Sequence, residues 1–191
     1  MMQMKNNGMA RLTVLLAVIA ASLLATGCST APKQKDQAKV IADSRSAARW
    51  FVYNVRGLAA QLDNSAGYVS YPGIGRYGLL IGGGKFGRGV VYDSNHRQIG
   101  WAYINMASAG LQVGVQGYKM LVVFRDEATM RRFQENHLTG NVNATIVAIG
   151  AGESGAASFT NGVAIYEGDQ AGLMAGVSVG LDYMRYEAVG R

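Results

Sequence analysis

Gly78-Leu79-Leu80-Ile81-Gly82-Gly83-Gly84-Lys85-Phe86-Gly87-Arg88-Gly89-Val90-Val91-Tyr92 sets the character of the chain from Gly67 onward: glycine at short intervals, with Val, Ile, Leu and Tyr between. Short β-branched and aromatic runs bounded by glycine are the signature of strands and turns. The same punctuation marks candidate strands at 79–81, 89–92, 100–104, 111–116, 120–124, 144–149, 162–166 and 173–184. In the last of these, Ala175, Val177, Val179 and Leu181 alternate with Gly176, Ser178, Gly180 and Asp182, so one face is bulky and the other small. Glycine weakens a strand and is kept where the strand bends or another backbone comes close. The expectation is a curved sheet, or a sheet with one face under a closely packed helix.

Two segments break this pattern. Residues 37–63 change to a helical period: Val40, Ala47, Phe51, Leu58 and Leu62 share one stripe, with Arg45, Arg49 and Arg56 opposite. Gly57 lies within that helix and weakens it by about 1 kcal/mol relative to Ala. Residues 126–137 carry a second, short helix, with Asp126 as its N-cap and Met130 and Phe133 three apart. The fold class is therefore α+β: a glycine-rich, mainly antiparallel curved sheet packed with an N-terminal amphipathic helix and one short internal helix.

Composition narrows the function. The 191 residues include 49% hydrophobic and 16% charged, which excludes a disordered chain. One Cys excludes a disulfide framework or a cysteine-based zinc cluster within the chain. That Cys sits at a telling place. Lys5 and Arg11 precede an apolar run from Leu12 to Ala25, and Thr26-Gly27-Cys28 closes it with small residues, the order of a secretory signal. The run is shorter than the ~20 residues a membrane-spanning helix needs. Leu24-Ala25-Thr26-Gly27-Cys28 resembles the lipobox of bacterial lipoproteins, which implies cleavage before Cys28 and acylation of its thiol. The expected organisation is a signal peptide over 1–27, the acylated Cys and a polar tether over 28–36, and a domain over 37–191. Ser29, rather than Asp, after the Cys implies the bacterial outer membrane, with the domain facing the periplasm.

Motifs that suggest catalysis fail on context. Gly176-Val177-Ser178-Val179-Gly180 matches a nucleophile elbow, but the elbow's His must follow the Ser, and both histidines, His96 and His137, precede it. Gly73-x-Gly75-x-x-Gly78 and Gly82-x-Gly84-x-x-Gly87 match the dinucleotide fingerprint, yet strand formers follow where a helix must cradle the pyrophosphate. Gly84-Lys85 is followed by Phe86, not the Ser or Thr of a phosphate-binding loop. His96 and His137 have no second His or Cys near in sequence to complete a metal site. The reading is no enzyme, no catalytic residue, no metal and no cofactor. A net charge of +6 points to an anionic partner, and for an exported, lipid-anchored chain that partner is a membrane surface, not nucleic acid.

From Gly67 onward the chain resembles the SYLF domain, a family found in bacterial lipoproteins and in eukaryotic lipid-binding actin regulators. The residues that carry the likeness are Gly82-Gly83-Gly84-Lys85-Phe86-Gly87-Arg88-Gly89-Val90, Gly100-Trp101 and Ser108-Ala109-Gly110-Leu111-Gln112-Val113-Gly114-Val115-Gln116. Asn143-Ala144-Thr145, the 150–155 stretch, Tyr166 and Gly172-Leu173-Met174-Ala175-Gly176 follow in order. The resemblance implies phospholipid binding through a basic amphipathic N-terminal helix. Lys39, Arg45, Arg49 and Arg56 are the matching cations, by character and position. The expected function is thus a non-enzymatic lipoprotein, held by acylated Cys28, whose domain binds anionic phospholipid head groups. The alternative is a structural module that packs against another envelope protein, with no specific lipid ligand.

Overall fold

A computed structural model describes residues 34–79, 82–109, 114–138, 145–149, 154–171 and 184–190. The leader, Cys28, Ser178, the expected strand at 173–184, and residues 110–113, 150–153 and 172–176 of the SYLF-like stretches fall wholly or mostly outside them. Helix α1, Gln34–Asn54, is followed by the two-residue strand β1, Val55–Arg56, and helix α2, Leu58–Asp63. Then come β2 (Gly67–Leu79), β3 (Gly82–Asp93), β4 (Gln98–Ala109), β5 (Gly114–Phe124), helix α3 (Glu127–Gln134), β6 (Thr145–Ile149), β7 (Ser154–Gly155), β8 (Val163–Ala171) and β9 (Met184–Ala188). The main sheet runs β6-β8-β5-β2-β3-β4-β9. Its pairs are antiparallel except β6 with β8. The α+β class is as the sequence implies, with a mostly antiparallel open sheet.

Three features differ from the sequence expectation. The N-terminal helix starts at Gln34, with Asp36 in its first turn, where a carboxylate favours the helix dipole. It stops at Asn54, whose side-chain amide donates to the Trp50 carbonyl at 2.7 Å. Gly57, at φ +82°, then turns the backbone in a way only glycine adopts cheaply, so Leu58–Asp63 is a separate helix. Lastly, the strands are longer than the short apolar runs: β2 to β5 span 11 to 13 residues each.

The extra length comes from glycines inside strands. A Cβ on Gly75 would lie 2.5 Å from the Phe86 ring, and one on Gly84 would lie 2.6 Å from the Tyr77 hydroxyl. Each ring lies across the bare backbone of its neighbour strand, covering the ladder that glycine leaves exposed. Of the expected strand at 79–81, Leu79 is the last residue of β2, and residues 80–81 lie outside the described residues. Pro72 sits where β2 slips register against both neighbours, between Ser70 and Ile74. Such a bulge tolerates a residue with no N–H to give.

Alternation along the strands sends side chains to two cores. On one face Val90, Tyr92, Trp101, Tyr103, Leu121, Val123 and Tyr166 pack with Ala48, Phe51, Leu58 and Leu62 of α1 and α2. On the other, Val69, Tyr71, Ile74, Val91, Met120, Val122 and Ile165 pack with Met130 and Phe133 of α3. Phe51 is fully buried, a placement that stabilises by about 2–3 kcal/mol. A polar clamp fixes α1 in place. Ser44 Oγ donates to the Ser70 carbonyl at 2.9 Å, and Ser70 Oγ donates back to the Ser44 carbonyl at 2.8 Å. Asp126 caps α3 as the sequence implies, accepting from the Thr129 amide at 2.9 Å.

Candidate functional site

With Ala47, Ala48 and Phe51 of α1 turned into the sheet, Arg45 and Arg49 are turned out, one helical turn apart. Both line a groove of about 720 Å³ together with Val52, Tyr53, Leu62, Tyr68, Tyr92 and His96. Its walls come from four places in the chain: α1, α2, the start of β2, and the end of β3 with the turn that follows it.

That turn is held by its own acid. Asp93 Oδ1 accepts from the amides of Asn95 and Arg97, both at 2.9 Å, and Oδ2 accepts from Arg97 Nε at 3.0 Å. Burial pushes the Asp93 carboxyl up, but these hydrogen bonds outweigh it and hold it below its ordinary value. His96, at φ +57°, is thereby aimed back at the groove. Its Nδ1 lies 3.3 Å from the Tyr68 hydroxyl and its Nε2 3.2 Å from Asp63 Oδ1. Tyr68 stacks on Tyr92, ring centroids 5.0 Å apart. Its hydroxyl is pushed up to about 12, first by burial and then by Tyr92, with Arg45 opposing. It therefore keeps its proton at neutral pH.

The chemistry on offer is recognition of an anion. Two guanidinium groups give fixed positive charge and forked donors that match phosphate oxygens. Two tyrosine rings give a flat apolar wall. Neither Arg45 nor Arg49 makes an ion pair among the described residues.

The four cations named from the sequence are not one stripe. Lys39 Nζ is 2.5 Å from Asp43 Oδ2, an exposed i, i+4 pair that leaves it outside the groove. Arg56 lies beyond the end of α1, in β1, beside Gly155 of β7; it lines a separate hollow of about 290 Å³ with Tyr53 and Gly57. Its place on an extended helical stripe is corrected by the break at Asn54–Gly57. His96, Tyr68 and Tyr92 were not foreseen as groove residues, and nothing local in the sequence marks them. His137 lies 3.3 Å from Glu135 instead. Among the described residues no group of three or more His, Cys, Asp or Glu is placed to hold a metal ion.

The glycine motif at Gly82–Gly87 is strand β3, paired along its length with β2 and β4. Lys85 points into the core, not to a phosphate cradle. It is almost fully buried, 4.0 Å from Glu167 and 5.4 Å from the centre of the Tyr118 ring. Burial lowers its amine to about 8 despite Glu167, and burial raises the Glu167 carboxyl against the pull of Lys85 and Arg76.

No match is found among curated proteins or among solved structures. A family model does match residues 105–186, from within β4 to within β9: Ysc84, described as Las17-binding protein actin regulator. The match takes in the later part of the SYLF likeness, from Ser108 onward, but not Gly82–Val90 or Gly100-Trp101, and over residues 105–186 the chain is similar to the Ysc84 (SYLF) family.

Proposed function

We propose that the protein is a non-enzymatic lipoprotein of the bacterial outer membrane, facing the periplasm, whose domain binds anionic phospholipid head groups. Acylated Cys28 is its anchor and the groove under Arg45 and Arg49 its head-group site. The observation that carries the reading is this pair of exposed guanidinium groups beside the Tyr68–Tyr92 wall and His96. Each basic residue at an anionic surface is worth about 1 kcal/mol. That is weak for a free protein, but a lipid tether raises the effective concentration, so a weak contact suffices to set orientation.

The test is flotation of the full chain, with Cys28→Ala to remove the acyl anchor, on phosphatidylcholine vesicles with and without phosphatidylglycerol. The phosphatidylglycerol-dependent part of binding should fall roughly 30-fold in the R45Q/R49Q variant, the equivalent of about 2 kcal/mol. Binding with no dependence on the anionic lipid would refute the head-group reading and favour an envelope protein as partner.

A further inference from the structure

Beyond α1, no helix among the described residues covers the continuation of this sheet face. The register lays it out in rows. Val115 of β5, Tyr77 of β2 and Gly84 of β3 are direct neighbours; the next row holds Gly117, Gly75 and Phe86. The row after that holds Arg88 of β3, Tyr103 of β4 and Arg185 of β9, and the one following, Val90 and Trp101, lies within the α1 core. In β5 the residues on this face, Val115, Gly117 and Lys119, are exposed or half-buried, while Gln116 and Tyr118 on the opposite face are buried. Val115 is 82% exposed, Phe86 56% and Tyr77 45%, on strands whose other residues are largely buried. The two rings lie down over glycine, centroids 6.5 Å apart, and turn their upper faces outward. The result is an apolar tip backed by a basic row, since Arg88 and Arg185 are both exposed and make no ion pair among the described residues.

We propose that Tyr77, Phe86 and Val115 form a second membrane contact that enters the boundary between head groups and acyl chains, with Arg88 and Arg185 left at phosphate level. The inference rests on the membrane reading above and adds to it a non-polar component at a different place on the sheet. The order of chemistry matches the depth profile of a bilayer surface: aliphatic and phenyl groups deepest, a tyrosine hydroxyl able to stay wet, and cations at the anionic layer. A protein partner of equal shape would need carboxylates to meet the arginines; an anionic leaflet supplies the charge everywhere.

The test places a polarity-sensitive fluorophore at this tip. Cys28 is the chain's one thiol, so a full chain with Cys28→Ala and Tyr77→Cys labels at residue 77 alone. A control with Cys28→Ala and His137→Cys labels the end of α3, on the other side of the sheet. On phosphatidylglycerol-containing vesicles the label at 77 should shift to the blue and be quenched by lipids spin-labelled on the acyl chain, while the label at 137 does neither. The Y77S/F86S double variant should bind these vesicles about tenfold more weakly or worse. Phosphatidylglycerol-dependent binding with residue 77 still in water overturns this inference and leaves the groove reading standing. A shift at 77 without vesicles that grows with protein concentration overturns it in favour of a second copy of the chain. Loss of all dependence on the anionic lipid overturns both readings.

Discussion

The clamp between Ser44 and Ser70 decides whether the cationic groove exists at all, because Arg45 is the next residue in α1. Both serines are fully buried, and each hydroxyl donates to the other's carbonyl. Tyr92 adds a longer contact, its hydroxyl 3.4 Å from Ser44 Oγ. Ser44→Ala removes one donor and strands the Tyr92 hydroxyl; Ser70→Ala removes the other. Leaving a buried polar group unmet costs about 1–3 kcal/mol. The Ser44 carbonyl has a second partner in the helix ladder, so Ser70→Ala should fall at the low end and Ser44→Ala above it. The double variant should lose roughly 2–4 kcal/mol, and at about 2–4 °C per kcal/mol for a chain of this size its Tm should drop by roughly 5–15 °C. Thermal unfolding followed by circular dichroism gives that number. Hydrogen exchange shows where it acts: amides of α1 should lose protection before those of β2 to β5. Phosphatidylglycerol-dependent vesicle binding should weaken in parallel. A double variant that melts within about 1 °C of the parent, or one that melts early with α1 still protected, would refute the argument that this clamp seats the helix.

Burial of Lys85 favours its neutral form, so the folded chain holds that proton less tightly than the unfolded chain does. The penalty is in full force below about 8 and disappears towards 10.5. Stability should therefore rise from pH 8 to 10, where tyrosine ionisation in the unfolded chain begins to oppose it, and Lys85→Met should flatten that rise in urea titrations. Gly84→Val displaces the Tyr77 ring and should destabilise by about 1–3 kcal/mol through overpacking, visible as a lower urea midpoint. Asp126→Ala leaves the Thr129 amide uncapped and should cost about 1 kcal/mol, with Asp126→Asn recovering most of it.

Local chemistry was readable wherever one element decides it. Asp126, Met130 and Phe133 announce α3 because a cap and an apolar spacing are properties of a dozen residues. The Ala47–Phe51 stripe announces the buried side of α1 for the same reason. Strand length was not readable, since glycine signals a turn unless a ring from a neighbouring strand covers it, as Phe86 covers Gly75. Pro72 and the flanking glycines likewise hid β2, whose Tyr68, Val69, Tyr71 and Ile74 are core residues. Of the site, Arg45 and Arg49 were legible as a basic helical face. His96, Tyr68 and Tyr92 reach the groove from a turn and two strands, a meeting that only tertiary structure arranges. Lys85, which invites a phosphate reading beside its glycines, is instead inward by strand parity.

The position of the β2–β3 hairpin has a consequence for how the chain becomes a domain. β5 and β4 both belong wholly or partly to the stretch that matches the family model, yet they do not touch; residues 67–93 stand between them. Cut out at 105–186, that stretch would be two unconnected half-sheets with open edges, prone to pair with strangers. Autonomy therefore starts no later than Gly67. The final strand, Met184–Ala188, must find a partner made some eighty residues earlier, at Gly100–Ile104. Such distant closure predicts slow assembly, complete only once Met184–Ala188 has been delivered.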